Sequence, residues 1–280
     1  MSRRNNLERL GAPHPDAPTP TTTKSTDLFA FVNPTEFVEL PSKGLFYPEG
    51  HPLHNEKVIE IKHMTAKEED ILTSEALLSN ELAIDRLLES VIINKDIKVD
   101  DLLLGDKSAI LIATRVTGFG PYYEVTATCG TCTEKSNQVF NLDDIEPVKI
   151  DLPDGVENEG EGVFSFDLPV SKVRIYVRLL TSKDEKSIAD SIISKNNKTI
   201  QNPITGLIKG IVVQANEHTD KDMLHKFVEA MPLPDLKLLR KTYEKIKPDL
   251  DLNMDYACPH CGSEEKVGMP MTAAFFWPDS

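Results

Sequence analysis

Cys129-Gly130-Thr131-Cys132 and Cys258-Pro259-His260-Cys261-Gly262 hold all four cysteines of this 280-residue chain. Each Cys-x-x-Cys turn stands between stretches of period-two character. Tyr123, Val125 and Ala127 run into the first and Gln138 to Leu142 runs out of it; Leu252 to Tyr256 and Glu265 to Gly268 flank the second. Two such turns at the tips of hairpins are the arrangement of a zinc ribbon's knuckles. A tight turn aims backbone amides at the thiolates and sets two sulfurs close enough for tetrahedral zinc, with Zn–S near ~2.3 Å. Gly130 and Gly262 are read as the places where a side chain would hinder the turn. Cys129, Cys132, Cys258 and Cys261 are thus the predicted ligands of one zinc ion, structural because four thiolates close its coordination. The long separation of the pairs is no obstacle, since loop closure adds only about 0.6 kcal/mol per doubling of length.

Cys-Pro-His-Cys is also an active-site tetrapeptide of thioredoxin-fold oxidoreductases, where a helix N-terminus activates the first thiol. That chemistry needs an amphipathic helix directly after the motif, and Gly262-Ser263-Glu264-Glu265-Lys266-Val267-Gly268-Met269-Pro270 is too short and too rich in breakers. Zinc is the preferred reading, ahead of reduced structural cysteines without a metal and, last, of a thiol oxidoreductase using Cys258. His260 lies inside its knuckle, where side chains point outward. His51, His54 and His63, near Glu56 and Glu60, form a loose group read as surface histidines.

Working outward, the sequence predicts an α+β fold: helical segments with short antiparallel hairpins and a split zinc-ribbon-like knuckle pair. Residues 1–27 carry Pro13, Pro15, Pro18, Pro20 and Thr21-Thr22-Thr23 and read as a disordered tail. Residues 28–121 read as an arm plus a helical module. The arm is Leu40-Pro41-Ser42-Lys43-Gly44-Leu45-Phe46-Tyr47-Pro48, suited equally to insertion into a neighbour and to packing on its own domain, and a strand follows at Val58 to Ile61. Thr65-Ala66-Lys67-Glu68 is a capping box ahead of Ile71, Leu72 and the Leu77-Leu78 pair. Leu82, Leu87, Leu88, Val91 and Ile92 give a second helix; Asp100 and Asp106 are read as N-caps of a short turn and of a third helix through Ala109 to Ala113, ended by Gly118-Phe119-Gly120-Pro121. Residues 122–280 read as a β-hairpin and helical module closed by the knuckles. It contains an acidic loop at Asp154 to Gly162, a hairpin at Val163 to Leu180, and helices at Ser187 to Ile193, around Ile204 to Gln214, at Lys221 to Met231 and after Pro234. Phe275-Phe276-Trp277 is expected to fold back onto the core.

Composition, with 40% hydrophobic and 27% charged residues, describes a folded chain, and no apolar run approaches the ~20 residues of a membrane span. Met1-Ser2-Arg3-Arg4 leads into Asn, Glu, Pro and Thr rather than an apolar stretch, which predicts a cytoplasmic location. A net charge of −14 argues against nucleic-acid backbone binding and directs the expectation towards protein partners; a zinc-ribbon nucleic-acid adaptor is the competing reading. Gly118-Phe119-Gly120 lacks the strand-to-helix setting of a dinucleotide loop, and phosphate-loop, nucleophile-elbow and His-Glu-x-x-His motifs do not occur. The chain is expected to have no catalytic residues.

In order along the chain, Leu40-Pro41-Ser42-Lys43-Gly44 with Tyr47-Pro48, Met64-Thr65-Ala66-Lys67-Glu68-Glu69-Asp70-Ile71-Leu72, Gly105-Asp106-Lys107-Ser108-Ala109-Ile110-Leu111-Ile112-Ala113, the cysteine pairs and Phe275-Phe276-Trp277-Pro278 resemble the T-even bacteriophage baseplate hub family. The likeness spans residues 37–278. It implies a non-enzymatic viral protein, either a hub subunit or a chaperone-like hub assembly factor, whose partners are other phage baseplate or tail proteins. Its implied locations are the host cytoplasm during assembly and the virion tail baseplate. The zinc site is not part of what the resemblance implies.

Overall fold

The computed structural model describes residues 34–74, 82–193, 203–269 and 275–276. The Pro/Thr-rich segment, the Leu77-Leu78 pair and Trp277 lie outside them. The fold is α+β, with seven α-helices among the described residues. β1 (Thr35–Glu39) pairs antiparallel with β2 (Val58–Lys62) and turns Val38, Ile59 and Ile61 onto the core. Between them the Leu40–Tyr47 arm packs on its own chain: Phe46 and Tyr47 are buried, and Phe46 meets the Phe164 ring at 5.7 Å. Gly44 makes the turn possible. It has φ +70°, and a Cβ there would stand 2.4 Å from the Glu56 amide nitrogen.

Helices α1 (Ala66–Thr73) and α2 (Ala83–Val91) follow. The Glu68 carboxylate reaches back to accept from the Thr65 N–H at 3.0 Å, as the capping box predicts. It also accepts from the Lys62 ammonium at 2.7 Å and from the Ser90 hydroxyl, tying β2, α1 and α2 at a fully buried point. Burial alone would raise its pKa, but the Lys62, Ser90 and Thr65 donors prevail and hold it down at about 2. A depressed folded-state value stabilises the fold above the ordinary carboxylate pKa and is lost as pH falls towards 2. Glu68→Gln is therefore expected to lose about 3 kcal/mol at neutral pH. Urea titrations across that acid range check it: the variant's stability should fall less steeply with acid than the wild type's, and an equally steep fall would sink the idea.

Next come α3 (Leu104–Phe119), the hairpin β3 (Tyr122–Thr128) and β4 (Lys135–Asn141), then β5 (Glu157–Gly160), β6 (Val163–Asp167) and β7 (Arg174–Arg178). The chain continues through α4 (Ser182–Ile193), α5 (Pro203–Ile211), β8 (Val212–Ala215), α6 (Lys221–Glu229) and α7 (Leu233–Ile246), and a last hairpin of β9 (Asn253–Ala257) and β10 (Glu264–Gly268). β5 to β8 form one antiparallel sheet in sequential order.

Four expectations are corrected. Asp106 is not an N-cap: it sits inside the first turn of α3, fully buried, and faces the arm. The acidic loop contains β5, whose exposed residues are held by pairing with β6 across a bulge. Val212 to Gln214, read as helical, belong with Ala215 to the strand β8 paired with β7. α4 begins at Ser182 rather than Ser187, because the Asp184 carboxylate accepts from the Thr181 N–H (3.0 Å) and hydroxyl (2.9 Å) while Arg178 grips it from the other side.

One apolar cluster runs from Val38 to Phe276 and takes residues from both ends of the described chain. Phe275 and Phe276 fold back onto it. Phe275 lies edge-on to Tyr123 at 5.1 Å, and its carbonyl accepts from Arg115 Nε at 2.8 Å. A separate small cluster of Ala127, Cys129, Tyr256 and Cys258 lies beneath the knuckles.

Candidate metal centre

The two hairpins carry their cysteines to one point. Both knuckles are built alike: the Thr133 N–H donates to the Cys129 carbonyl and the Gly262 N–H to the Cys258 carbonyl, each at 2.9 Å. The Cys129 and Cys258 amides donate onward to Glu134 and Ser263, again at 2.9 Å. The residue after each second cysteine turns left-handed, Thr133 at φ 62° and Gly262 at φ 72°. Gly262 thus serves through its backbone conformation, with open space where a Cβ would sit, whereas Gly130 lies against the end of the Glu265 side chain. Its N–H donates to Glu265 Oε1 at 2.8 Å, and a Cβ would meet the Glu265 carboxylate at 2.7 Å. The Thr131 and Ser263 hydroxyls, 2.9 Å apart, add a second link between the turns.

All four sulfurs lie within 4.8 Å of one another. Cys129 and Cys261 are 3.8 Å apart and Cys132 and Cys258 are 3.6 Å apart, each contact crossing from one knuckle to the other. A disulfide needs about 2.0 Å, and the thiols are free. Sulfurs around a tetrahedral ion at ~2.3 Å lie ~3.8 Å apart, so this donor set fits one divalent, thiophilic ion. Cys129 and Cys258 are buried, Cys132 is partly covered and Cys261 is exposed. The Tyr256 hydroxyl lies 2.9 Å from Ser136 Oγ and hydrogen-bonds the Cys258 sulfur, and this chiefly draws that thiol down to about 6 against its burial. Cys132 moves the other way, to about 12. The Glu134 amide favours its thiolate, but burial and the facing thiols of Cys261, Cys129 and Cys258 outweigh it. Crowded thiolates repel, and a cation among them turns that repulsion into attraction.

The oxidoreductase alternative fits poorly. Cys258 is buried, and the strand β10, not a helix, follows its motif. His260 is exposed and outside the sulfur cluster. His51 and His54 brace the arm: His51 stacks on Tyr47 at 4.5 Å and His54 Nδ1 lies 2.7 Å from the Tyr47 carbonyl. Among the described residues the four cysteines are the only group of three or more placed to share a metal.

A family model described as T4 bacteriophage base plate protein matches residues 36–277. The chain belongs to that family. No curated protein and no solved structure matches it. A phage baseplate protein of this kind has a structural role in the virion tail, and no helix among the described residues is long and apolar enough to cross a membrane.

In this baseplate protein two of the sequence pieces quoted above, the arm with Ser42 and Tyr47 and the stretch that begins Gly105-Asp106, meet at one buried spot that sequence reasoning missed. The Asp106 carboxylate accepts from the Ser42 N–H (2.9 Å), the Ser42 hydroxyl (2.6 Å) and the Tyr47 hydroxyl (2.8 Å). Tyr47 Oη accepts in turn from the Leu103 N–H at 3.1 Å. Beside it, a Cβ on Gly105 would stand 2.1 Å from the Pro248 carbonyl oxygen, so glycine lets the chain after α7 lie directly on α3.

Proposed function

We propose that this baseplate protein is a hub subunit that works through protein–protein contacts, and that Cys129, Cys132, Cys258 and Cys261 bind one structural zinc. The near-tetrahedral spacing of the four sulfurs carries the zinc reading: every coordination position is filled by protein, leaving none for substrate. The family match over residues 36–277 supports the assembly role. A non-enzymatic reading follows, with the middle hairpin and the C-terminal hairpin clamped together. The net charge of −14 weighs against the nucleic-acid adaptor.

Quantitative mass spectrometry of purified virions tests the hub reading. The chain is expected at a fixed ratio to the other baseplate proteins. Presence in assembly intermediates alone would make it a chaperone-like assembly factor active in the host cytoplasm, and absence from both would overturn the proposal.

A further inference from the structure

A groove of about 540 Å³ opens where the end of β2 meets α1 and α2, lined by Lys62, Lys67, Arg86 and Lys95 with Ile71 and Ile93. Four cations in one concavity stand out on a chain of net charge −14. Two carboxylates offset part of this charge, and one of them, Glu89, lines the groove as well. Glu68, ionised and buried beneath, neutralises Lys62, and Glu89 pairs with Arg86 at the exposed rim, where such a pair is readily exchanged for another carboxylate, so the excess positive charge rests on Lys67 and Lys95. Lys95 is fixed in place: its ammonium donates to the Glu89 and Ile92 carbonyls, both at 2.6 Å, at the C-terminal end of α2. Burial lowers its pKa first, and the neighbouring Lys62 and Lys67 add to the shift. Ile93, 41% exposed, supplies an apolar wall beside these charges.

We propose that this groove docks an acidic segment of another baseplate protein, Asp or Glu side chains meeting Lys67 and Arg86 while an aliphatic side chain lies against Ile71 and Ile93. The charge complementarity is local and opposite in sign to the rest of the molecule, so it selects the partner's orientation as well as its identity. The inference rests on the reading that the protein acts through contacts with other baseplate proteins.

The test is a Lys67→Glu, Arg86→Glu double variant carried by the phage, with revertants selected for restored plaque formation. The expected result is a roughly tenfold or greater loss of infectious particles, with unchanged thermal stability and metal content in the purified variant. Revertants should carry Asp or Glu to Lys changes in an acidic segment of a second baseplate gene. Normal titre and normal incorporation into tails would overturn the groove while leaving the hub reading intact. So would loss of titre explained by a falling melting temperature. Binding of a single-stranded oligonucleotide or of anionic vesicles by the wild type, abolished in the variant, would overturn it in favour of those ligands.

Discussion

Cys129→Ser and Cys258→Ser are each expected to abolish the binding of the single zinc ion proposed for the four thiolates and to unfold the knuckle end of the molecule ahead of the rest. The two cysteines come from different hairpins, and each sulfur's short contact crosses between the knuckles, so loss of either opens the clamp from both sides. Beneath the four sulfurs the apolar support is small, with only Ala127, Tyr256, Cys129 and Cys258 buried, against the long cluster that holds the rest. Isolated two-stranded hairpins are marginal in water. Metal binding is worth about 10–16 kcal/mol in zinc-finger peptides at neutral pH, far more than so few buried side chains return. β9, β10 and the outer halves of β3 and β4 should therefore lose amide protection, while β6 and β7, whose Phe164, Ile175 and Val177 are fully buried, keep theirs. Metal analysis with hydrogen exchange checks both halves; full zinc retained by both variants would remove the shared site.

The cysteine site was legible because its chemistry is local: two tight turns between short strands advertise themselves whatever lies between them. The capping box at Thr65 was legible for the same reason. Val212 to Ala215 was not. It continues the apolar run of α5, where a helical and a buried-strand period cannot be told apart, and pairing with β7 decides its state. β5 has no apolar residue to announce it and exists because β6 offers an edge. Thr133 in a left-handed turn had no signal beyond its equivalence to Gly262. Asp106 was misread because an aspartate near a helix start is usually a cap, and its true partners, Ser42 and Tyr47, lie about sixty residues away in sequence.

Asp106→Ala is expected to be the most damaging substitution away from the cysteine cluster. Two fully buried carboxylates show why its surroundings matter. Glu68 has an ammonium partner and its pKa falls, while Asp106 has only neutral donors and burial wins, raising its pKa despite three hydrogen bonds. Removing the Asp106 carboxylate strands the Ser42 N–H, the Ser42 hydroxyl and the Tyr47 hydroxyl in a site that water does not reach. At about 1–3 kcal/mol for each stranded group, moderated by relaxation of the arm, the loss should be about 3–5 kcal/mol, or roughly 10 °C in melting temperature for a chain of this size. A raised folded-state pKa contributes stability that is fully present below the ordinary aspartate value and lost as pH rises through the folded one. The penalty should accordingly be larger near about pH 4 than near about pH 8. Urea titrations at both pH values, with Tyr47→Phe and the double variant alongside, check this. The pair should be less damaging together than the sum of the singles, because each removes an end of the same hydrogen bond. Additive losses, or a single-variant effect within about 0.5 kcal/mol, would mean that the arm is held by Phe46 and Leu40 packing and not by Asp106.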